Sequence, residues 1–416
     1  MRLAFRARAL GPLRNVDWTV PQGVSVIVGP NRVGKSTLLR LPEFVRLTLA
    51  DGLSGAVKTV FEGAANLRNL AADAGEVSSV GFGFDIADWD LELAVQNGSV
   101  GEYPGEELRV DGAVQLMREA GTLKGRSLHN PVTLGPRPIP AICLERVRRF
   151  LPPPTKMPRI DDRSAAEEAF RARASALAPL DPIGVLYGTL IAAAIEHCLC
   201  YRTGHYQVAH ILKYGSPHSP DLTLHRSGEN VFPLLRSWRD RSELKPRFDF
   251  VLATLREAFP DVDKIGFEQA GQTVTMTISD RRWAGNRLPI SRESTGFITA
   301  LLQLCAVASG GPGGLVTIDG LESSQHPHAL RVLIAAFRRW TADHGMHLVL
   351  ATRSETVIGQ LLDDPGQIYV LGSGTSASPR PLTELIDAAT LAGSSPGDIL
   401  GRITTLAPEE AARPAE

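Results

Sequence analysis

Cysteine is scarce: Cys143, Cys198, Cys200 and Cys305 are the four in 416 residues. So few in a chain this long make no disulfide framework and fit a reducing compartment, so a cytoplasmic protein is expected. An excess of one charge is also missing. The 44 Lys and Arg stand against 45 Asp and Glu, a formal net charge of -1. This excludes a global basic field and leaves any nucleic-acid contact to a local patch. No window approaches about 18 uncharged apolar residues, so no membrane span is expected. The longest apolar run, Ile183 to Ile195, reads as a buried helix or strand. The opening MRLAFRARALGPLRN interrupts its apolar positions with Arg and runs into a strand pattern, so no secretory leader is expected. No sustained heptad pattern is present, which excludes a long coiled-coil arm. The remaining composition, 43% hydrophobic and 21% charged, suits one large domain or two moderate ones.

Against that background one stretch stands out: VGPNRVGKSTLLR, Val28 to Arg40. Gly29, Gly34, Lys35 and Ser36 fit the G-x-x-x-x-G-K-[ST] pattern, with Pro30 and Asn31 inside the loop. The β-branched run GVSVIV before it reads as a buried strand, and STLLRLPEFVRL after it has apolar residues at helical spacing. Strand, glycine loop, helix is the context that phosphate binding needs. The glycines let backbone N–H groups face an anion, and the helix start adds partial positive charge. Lys35 would neutralise the outer phosphates, the Ser36 hydroxyl would ligate Mg²⁺, and Thr37 would lie near the α-phosphate.

The complementary half is expected to be an apolar strand ending in an acid. GGLVTIDGLESSQHPHAL supplies it, with Asp319 at the end of LVTI. An Asp at a strand's C-terminal end is placed to hold the Mg²⁺ shell. A third strand, MHLVLATRSE, follows a helical segment and ends in Thr352-Arg353-Ser354, where a polar side chain would sense the γ-phosphate.

Taken in order, GPNRVGKST, ISRESTGFITALLQL, VTIDGLESSQHP and LVLATRSE resemble the ATPase head of the ABC class, and within it the RecF/RecN/OLD-like ATPases. The resemblance covers about residues 1–47 and 285–385. It implies an α/β P-loop NTPase head, with a mixed first-lobe sheet plus a parallel core sheet and a compact helical/mixed insertion. Lys35 and Ser36 match the Walker A lysine and Mg²⁺ serine. Ser294 and Gly296 match the signature S-x-G, which in such heads meets the γ-phosphate held by the opposite protomer. Asp319 matches the Walker B aspartate, with Ser36 the second metal ligand, and Arg353 stands where a switch histidine is usual. Two departures are plain. Gly320 follows Asp319 where the family has a catalytic Glu, leaving Glu322 as the substitute carboxylate, and Arg353 replaces the histidine. Together these imply ATP and Mg²⁺ binding with slow hydrolysis, nucleotide acting as a clamp for a homodimer. DNA, or an effector protein encoded nearby, is the partner such heads imply, in bacterial defence or DNA repair. The alternatives are a nucleotide-binding scaffold without useful turnover and a transporter ATPase. The transporter reading would require an LSGGQ-like signature, which the sequence lacks.

The expected division is residues 1–130 for the first part of the head, 131–280 for an insertion and the return to the head, 281–390 for the second lobe, and 391–416 for a flexible tail. After the head, no room is expected for the nuclease domain that some OLD-like proteins carry. Within the first part, Val80 to Gly98 alternates as a hairpin, and GEELRVDGAVQLMREAG continues it. Pro152–Pro154 punctuates the insertion before a predicted helix, RSAAEEAFRARASAL. The neighbouring Arg146, Arg148, Arg149, Lys156 and Arg159 read as a solvated face, with contact to a phosphate backbone as the alternative. The stretch around His197, Cys198, Cys200, His205 and His210 fits no zinc spacing.

Overall fold

The computed structural model describes residues 2–67, 76–96, 99–100, 105–119, 122–125, 132–133, 137–150, 181–283, 286–372 and 378–409. The helix predicted from RSAAEEAFRARASAL, the Pro152–Pro154 run, Lys156 and Arg159 lie outside the described residues.

From the amino terminus the elements are β1 (Leu3–Leu10), β2 (Leu13–Thr19), β3 (Gly23–Val28), α1 (Lys35–Asp51), α2 (Leu53–Phe61), β4 (Ser78–Phe84) and β5 (Ala87–Leu93). Next come β6 (Val95–Gln96), β7 (Ser99–Val100), β8 (Gly105–Val110), β9 (Ala113–Glu119), β10 (Thr122–Gly125), β11 (Val132–Thr133), α3 (Ile139–Phe150), α4 (Pro182–Glu196) and β12 (Cys198–Arg202). The chain continues through α5 (Val208–Tyr214), β13 (Ser216–Pro217), α6 (Val231–Asp240), α7 (Lys245–Ala258), β14 (Val262–Ala270), β15 (Thr273–Asp280) and β16 (Arg287–Pro289). It closes with α8 (Thr295–Ser309), β17 (Leu315–Asp319), α9 (Pro327–His344), β18 (His347–Ala351), α10 (Glu355–Gly359), β19 (Ile368–Val370), β20 (Arg380–Pro381), α11 (Leu382–Leu385), α12 (Ala388–Gly393) and α13 (Pro396–Glu409). Two units divide the chain. The first holds Met1–Val20, Asn31–Cys198 and Gly372–Pro379; the second holds Pro21–Pro30, Leu199–Leu371 and Arg380–Glu416.

Among the described residues, the first unit contains an eight-stranded antiparallel sheet in the order β11-β10-β9-β8-β5-β4-β1-β2. Its strands alternate. In β5, Ala87, Trp89, Leu91 and Leu93 are buried while Asp88 and Asp90 face the other side. The β8–β9 hairpin turns on Asp111-Gly112, both at positive φ (50° and 74°), as a tight two-residue hairpin requires. Helix α4 packs across β4, β5 and β8; it is the long apolar run of the sequence, and it is a helix.

On the opposite face, strand β4 carries Gly81 and Gly83. Gly81 pairs with Arg6 on one side and Asp90 on the other; Gly83 pairs likewise with Ala4 and Asp88. With no side chain on the middle strand, charges reach across it. Arg6 Nε lies 2.8 Å from Asp90 Oδ1, Arg6 Nη1 lies 2.6 Å from Asp88 Oδ1, and Arg2 Nη2 lies 3.2 Å from Asp88 Oδ1.

The second unit is built on a sheet in the order β12-β17-β18-β3-β19-β20. Strands β17, β18, β3 and β19 run parallel, and β20 is antiparallel to β19. Helix α8 is apolar nearly all round, and every residue from Phe297 to Ser309 is buried; such a helix belongs in a core. A smaller sheet, β13-β15-β14 with β16 on β15, belongs to the same unit. The α/β fold expected from the sequence, a first-lobe sheet plus a parallel core sheet entered by the glycine loop, is the fold observed. Among the described residues no helix is long and apolar enough to cross a membrane.

Candidate nucleotide-binding site

The glycine loop starts in the second unit, at Gly29 and Pro30, and ends in the first, at Asn31 to Thr37. In the second unit, β3 buries Val24, Val26, Ile27 and Val28 on both faces, as an inner parallel strand should. Ile27, Ala351 and Asp319 form one row across β3, β18 and β17. Two strand spacings separate the end of β3, where the chain enters the glycine loop, from the acid, ~10 Å in the hydrogen-bonding direction. Both leave the C-terminal edge of the parallel strands, where α/β sheets bind ligands.

In the first unit, α1 begins on Lys35, which is buried; Ser36 and Thr37 are partly exposed in its first turn. That turn holds no acidic residue to compete for an anion. Gly34 caps the helix at φ 108°. A Cβ there would stand 2.7 Å from Leu13 Cδ2 and 3.2 Å from Pro12 Cγ, so space and conformation both require glycine. Arg32 is also left-handed, at φ 65°, and Asn31 and Arg32 are exposed. Left-handed residues running into a helix start turn successive N–H groups the same way, the form of an anion nest.

The loop after β17 is held by three elements of the second unit. From the end of β12, Arg202 Nε stands 3.7 Å from Asp319 Oδ2. From the middle of α8, the buried Gln303 donates Nε2 to the Leu321 carbonyl at 2.8 Å and contacts Thr203 Oγ1 at 3.4 Å. From the end of β18, the Thr352 hydroxyl donates to Glu322 Oε2 at 2.9 Å, and the Arg353 N–H donates to Glu322 Oε1 at 3.1 Å. Arg353 itself is exposed.

The signature segment abuts the same loop. Ser294 caps α8, its Oγ accepting the Phe297 N–H at 3.1 Å, and Gln325 Nε2 donates to the Gly296 carbonyl at 3.1 Å. A Cβ on Gly296 would fall 2.6 Å from the Ser324 carbonyl, so this glycine is needed for close approach within the chain. Ser294 and Thr295 stay exposed at the helix start.

Taken singly, Ser36 in the first unit offers a hydroxyl and Asp319 in the second a carboxylate, each a hard oxygen of the type Mg²⁺ takes. Among the described residues no group of three or more His, Cys, Asp or Glu is placed to hold a metal alone. The His and Cys stretch around Cys198 becomes β12 and the start of α5.

Sequence reading passed over Arg202 and Gln303, and it placed Thr352 at a polar strand end without its partner Glu322. Gln303 had a visible signal, a lone amide inside the apolar TGFITALLQLCAV. Arg202 had none, because only the sheet order makes it a neighbour of Asp319.

No family model matches the sequence, and no curated protein matches it. Among solved structures the chain is similar to an SMC head bound to the C-terminal winged-helix domain of ScpA, with a TM-score of 0.46 and 10% identity over 88% of this chain and 92% of that one. It is also similar to the SMC head domain from Thermotoga maritima, with a TM-score of 0.42 and 13% identity over 92% and 99% of the two chains. A third is an Smc head domain with an extended coiled coil, bound to the C-terminal domain of ScpA derived from Pyrococcus furiosus, with a TM-score of 0.39 and 9% identity over 94% and 99%.

Proposed function

We propose that this chain is an ATP-binding head of the ABC type that dimerises around ATP and Mg²⁺ and hydrolyses ATP slowly. The observation that supports the reading is the end of β3, which leads into the glycine loop, two strands from Asp319 on one edge of one parallel sheet. In this reading Lys35 and the loop N–H groups of Gly29, Asn31 and Gly34 hold the phosphates, and Pro30, which has no N–H, stiffens the loop. Ser36 and Asp319 hold Mg²⁺, and Thr37 lies by the α-phosphate. Ser294 and Gly296, at the start of α8, serve the nucleotide of a second copy. When bound, Mg²⁺ supplies charge neutralisation at the phosphates.

Slow turnover follows from Gly320. It occupies the place where a water-orienting carboxylate would stand, at φ 79°. Glu322 and Arg353 are the polar groups left on that edge, and Glu322 is already engaged by Thr352 and by the Arg353 backbone. The same observation favours a second reading, a nucleotide-binding scaffold whose only output is dimerisation. By resemblance to the RecF/RecN/OLD-like ATPases, the output would fall on DNA or an effector protein in defence or repair. The setting would be the cytoplasm, where four cysteines outside any disulfide are stable.

The test is calorimetric titration of ATP with MgCl₂ into wild type and Lys35→Ala, with light-scattering mass measured in both states. Wild type binds and doubles its mass, and the variant does neither. Unchanged ATP binding in Lys35→Ala overturns the assignment. Phosphate release then separates a slow ATPase from a scaffold.

A further inference from the structure

Asp319 already has a cation beside it. Strand β12 neighbours β17 in the sheet and ends on Arg202, whose Nε lies 3.7 Å from Asp319 Oδ2. The pair differs from one sealed in the core. Arg118 and Glu106 are 3% and 0% exposed, whereas Arg202 and Asp319 are 35% and 21% exposed. A single, long, water-reachable contact of this kind is weak and exchangeable. Yet it sets a positive charge against the carboxylate assigned to Mg²⁺. Magnesium draws its oxygens in to about 2.0–2.1 Å in a tight octahedron, and a guanidinium this near the same oxygen competes with it for the negative charge. The guanidinium cannot lose its charge when displaced, and its planar fork suits phosphate.

We infer that Arg202 is a resident counter-ion of Asp319 that Mg²⁺ must exchange for, and that the released guanidinium then joins the phosphates of the bound nucleotide. The inference rests on the ATP·Mg²⁺ reading of the site. It gives the site two cation states. Without Mg²⁺, Arg202 neutralises Asp319, so the carboxylate does not repel an incoming polyphosphate. With Mg²⁺, the metal takes Asp319 and the arginine adds to the positive charge around the phosphates. Nucleotide binding should therefore survive removal of Mg²⁺ to an extent set by Arg202, and Arg202 should raise the Mg²⁺ concentration needed for the exchange.

The experiment is calorimetric titration of the full chain with the non-hydrolysable analogue AMP-PNP, in EDTA and across a MgCl₂ series, for wild type, Arg202→Gln, Arg202→Lys and Lys35→Ala. In Arg202→Gln the EDTA affinity should fall by about three- to tenfold, because Asp319 without its counter-ion repels the incoming polyphosphate. The half-saturating Mg²⁺ should fall by about two- to fivefold, the exchange cost of an exposed pair. Arg202→Lys keeps the charge and should retain the EDTA affinity within about twofold. Two results overturn the inference while leaving the site reading intact: both quantities unchanged in Arg202→Gln while Lys35→Ala abolishes binding, or Arg202→Lys behaving as Gln does. Retained binding in Lys35→Ala overturns the underlying reading instead. Should Arg202→Gln fail to fold, Arg202→Lys with the Mg²⁺ series on wild type still decides. Wild-type binding lost altogether in EDTA overturns the inference.

Discussion

Glu322 grips Thr352. Its Oε2 accepts the Thr352 hydroxyl at 2.9 Å, while Oε1 accepts the neighbouring Arg353 N–H at 3.1 Å. The loop after β17 is thereby tied to the end of β18, and Thr352 is buried. A carboxylate accepting two donors is a fastener before it is a base. Glu322→Gln puts an NH₂ opposite one of those donors. It should lower stability by about 1–3 kcal/mol, the usual effect of losing a charge-assisted acceptor. AMP-PNP affinity should stay within about twofold. Urea denaturation reads the first and calorimetry the second; an unchanged urea midpoint means the contact fastens nothing.

Gly320 invites the opposite experiment, restoring the carboxylate. Its φ of 79° argues that restoration fails. Left-handed backbone costs a residue with a Cβ roughly 1–2 kcal/mol, and the new Cβ would sit 3.2 Å from Ser323 Oγ. Gly320→Glu should therefore lose about 1–2 kcal/mol of stability and show no gain in phosphate release over wild type. Gly320→Ala should lose a similar amount, since the backbone carries the cost. A Gly320→Glu variant as stable as wild type and faster would show that this backbone accommodates the side chain.

The elements of the candidate site were legible wherever their geometry is local. The glycine loop, Ser36 and the acid at the end of LVTI are each carried by a short run whose residue types impose the geometry, and the strand–loop–helix around Lys35 formed as the periodicity predicts. Hairpins β4–β5 and β8–β9 were legible for the same reason, alternation plus turn residues. What depends on sheet order was not. Nothing near Arg202 in sequence points to residue 319, 117 positions later, and the grip of Glu322 on Thr352 joins residues 30 apart. Gly81 and Gly83 read as weak strand residues until their neighbours are known.

Those two glycines carry a prediction of their own. Gly81→Ala puts a methyl against Asp90 Oδ1, and within 2.9 Å of Arg6 Nε. The Arg6–Asp90 pair, at 21% and 31% side-chain exposure, has to part. Exposed pairs contribute little singly, about 0.2–1 kcal/mol, but here three bridges share one lane across β4. Adding the overpacking strain, about 1–3 kcal/mol of stability should be lost. Adding Asp90→Ala to the variant should recover part of it, because the clash is removed with the charge. A double variant no more stable than the single would place the damage in the strand backbone.

The last prediction concerns the sealed pair. Glu106 is fully buried, with Oε2 3.4 Å from Arg118 Nε and Oε1 accepting from Trp89 Nε1 at 2.8 Å and from the Ile139 N–H at the start of α3. Burial pushes its carboxyl from the ordinary 4.5 up to about 7, outweighing the pull of Arg118 and the two N–H donors. The Cys143 thiol on α3 is pushed up in turn by its own burial and by Glu106. For an acid raised in the folded state, the native protein holds a proton that the unfolded chain has already lost between pH 4.5 and about 7. The contribution of this group is therefore fully present below pH 4.5 and is lost as pH rises through about 7. Urea midpoints should fall from pH 5 to pH 8, by an amount on the order of 1–3 kcal/mol attributable to this group. Glu106→Gln cannot ionise, so its midpoint should change less over the same range, and its stability relative to wild type should be greater at pH 8 than at pH 5. Parallel pH profiles for the two proteins would mean that Arg118 holds the carboxylate ionised throughout, and that the pair rather than the desolvation governs this corner of the sheet.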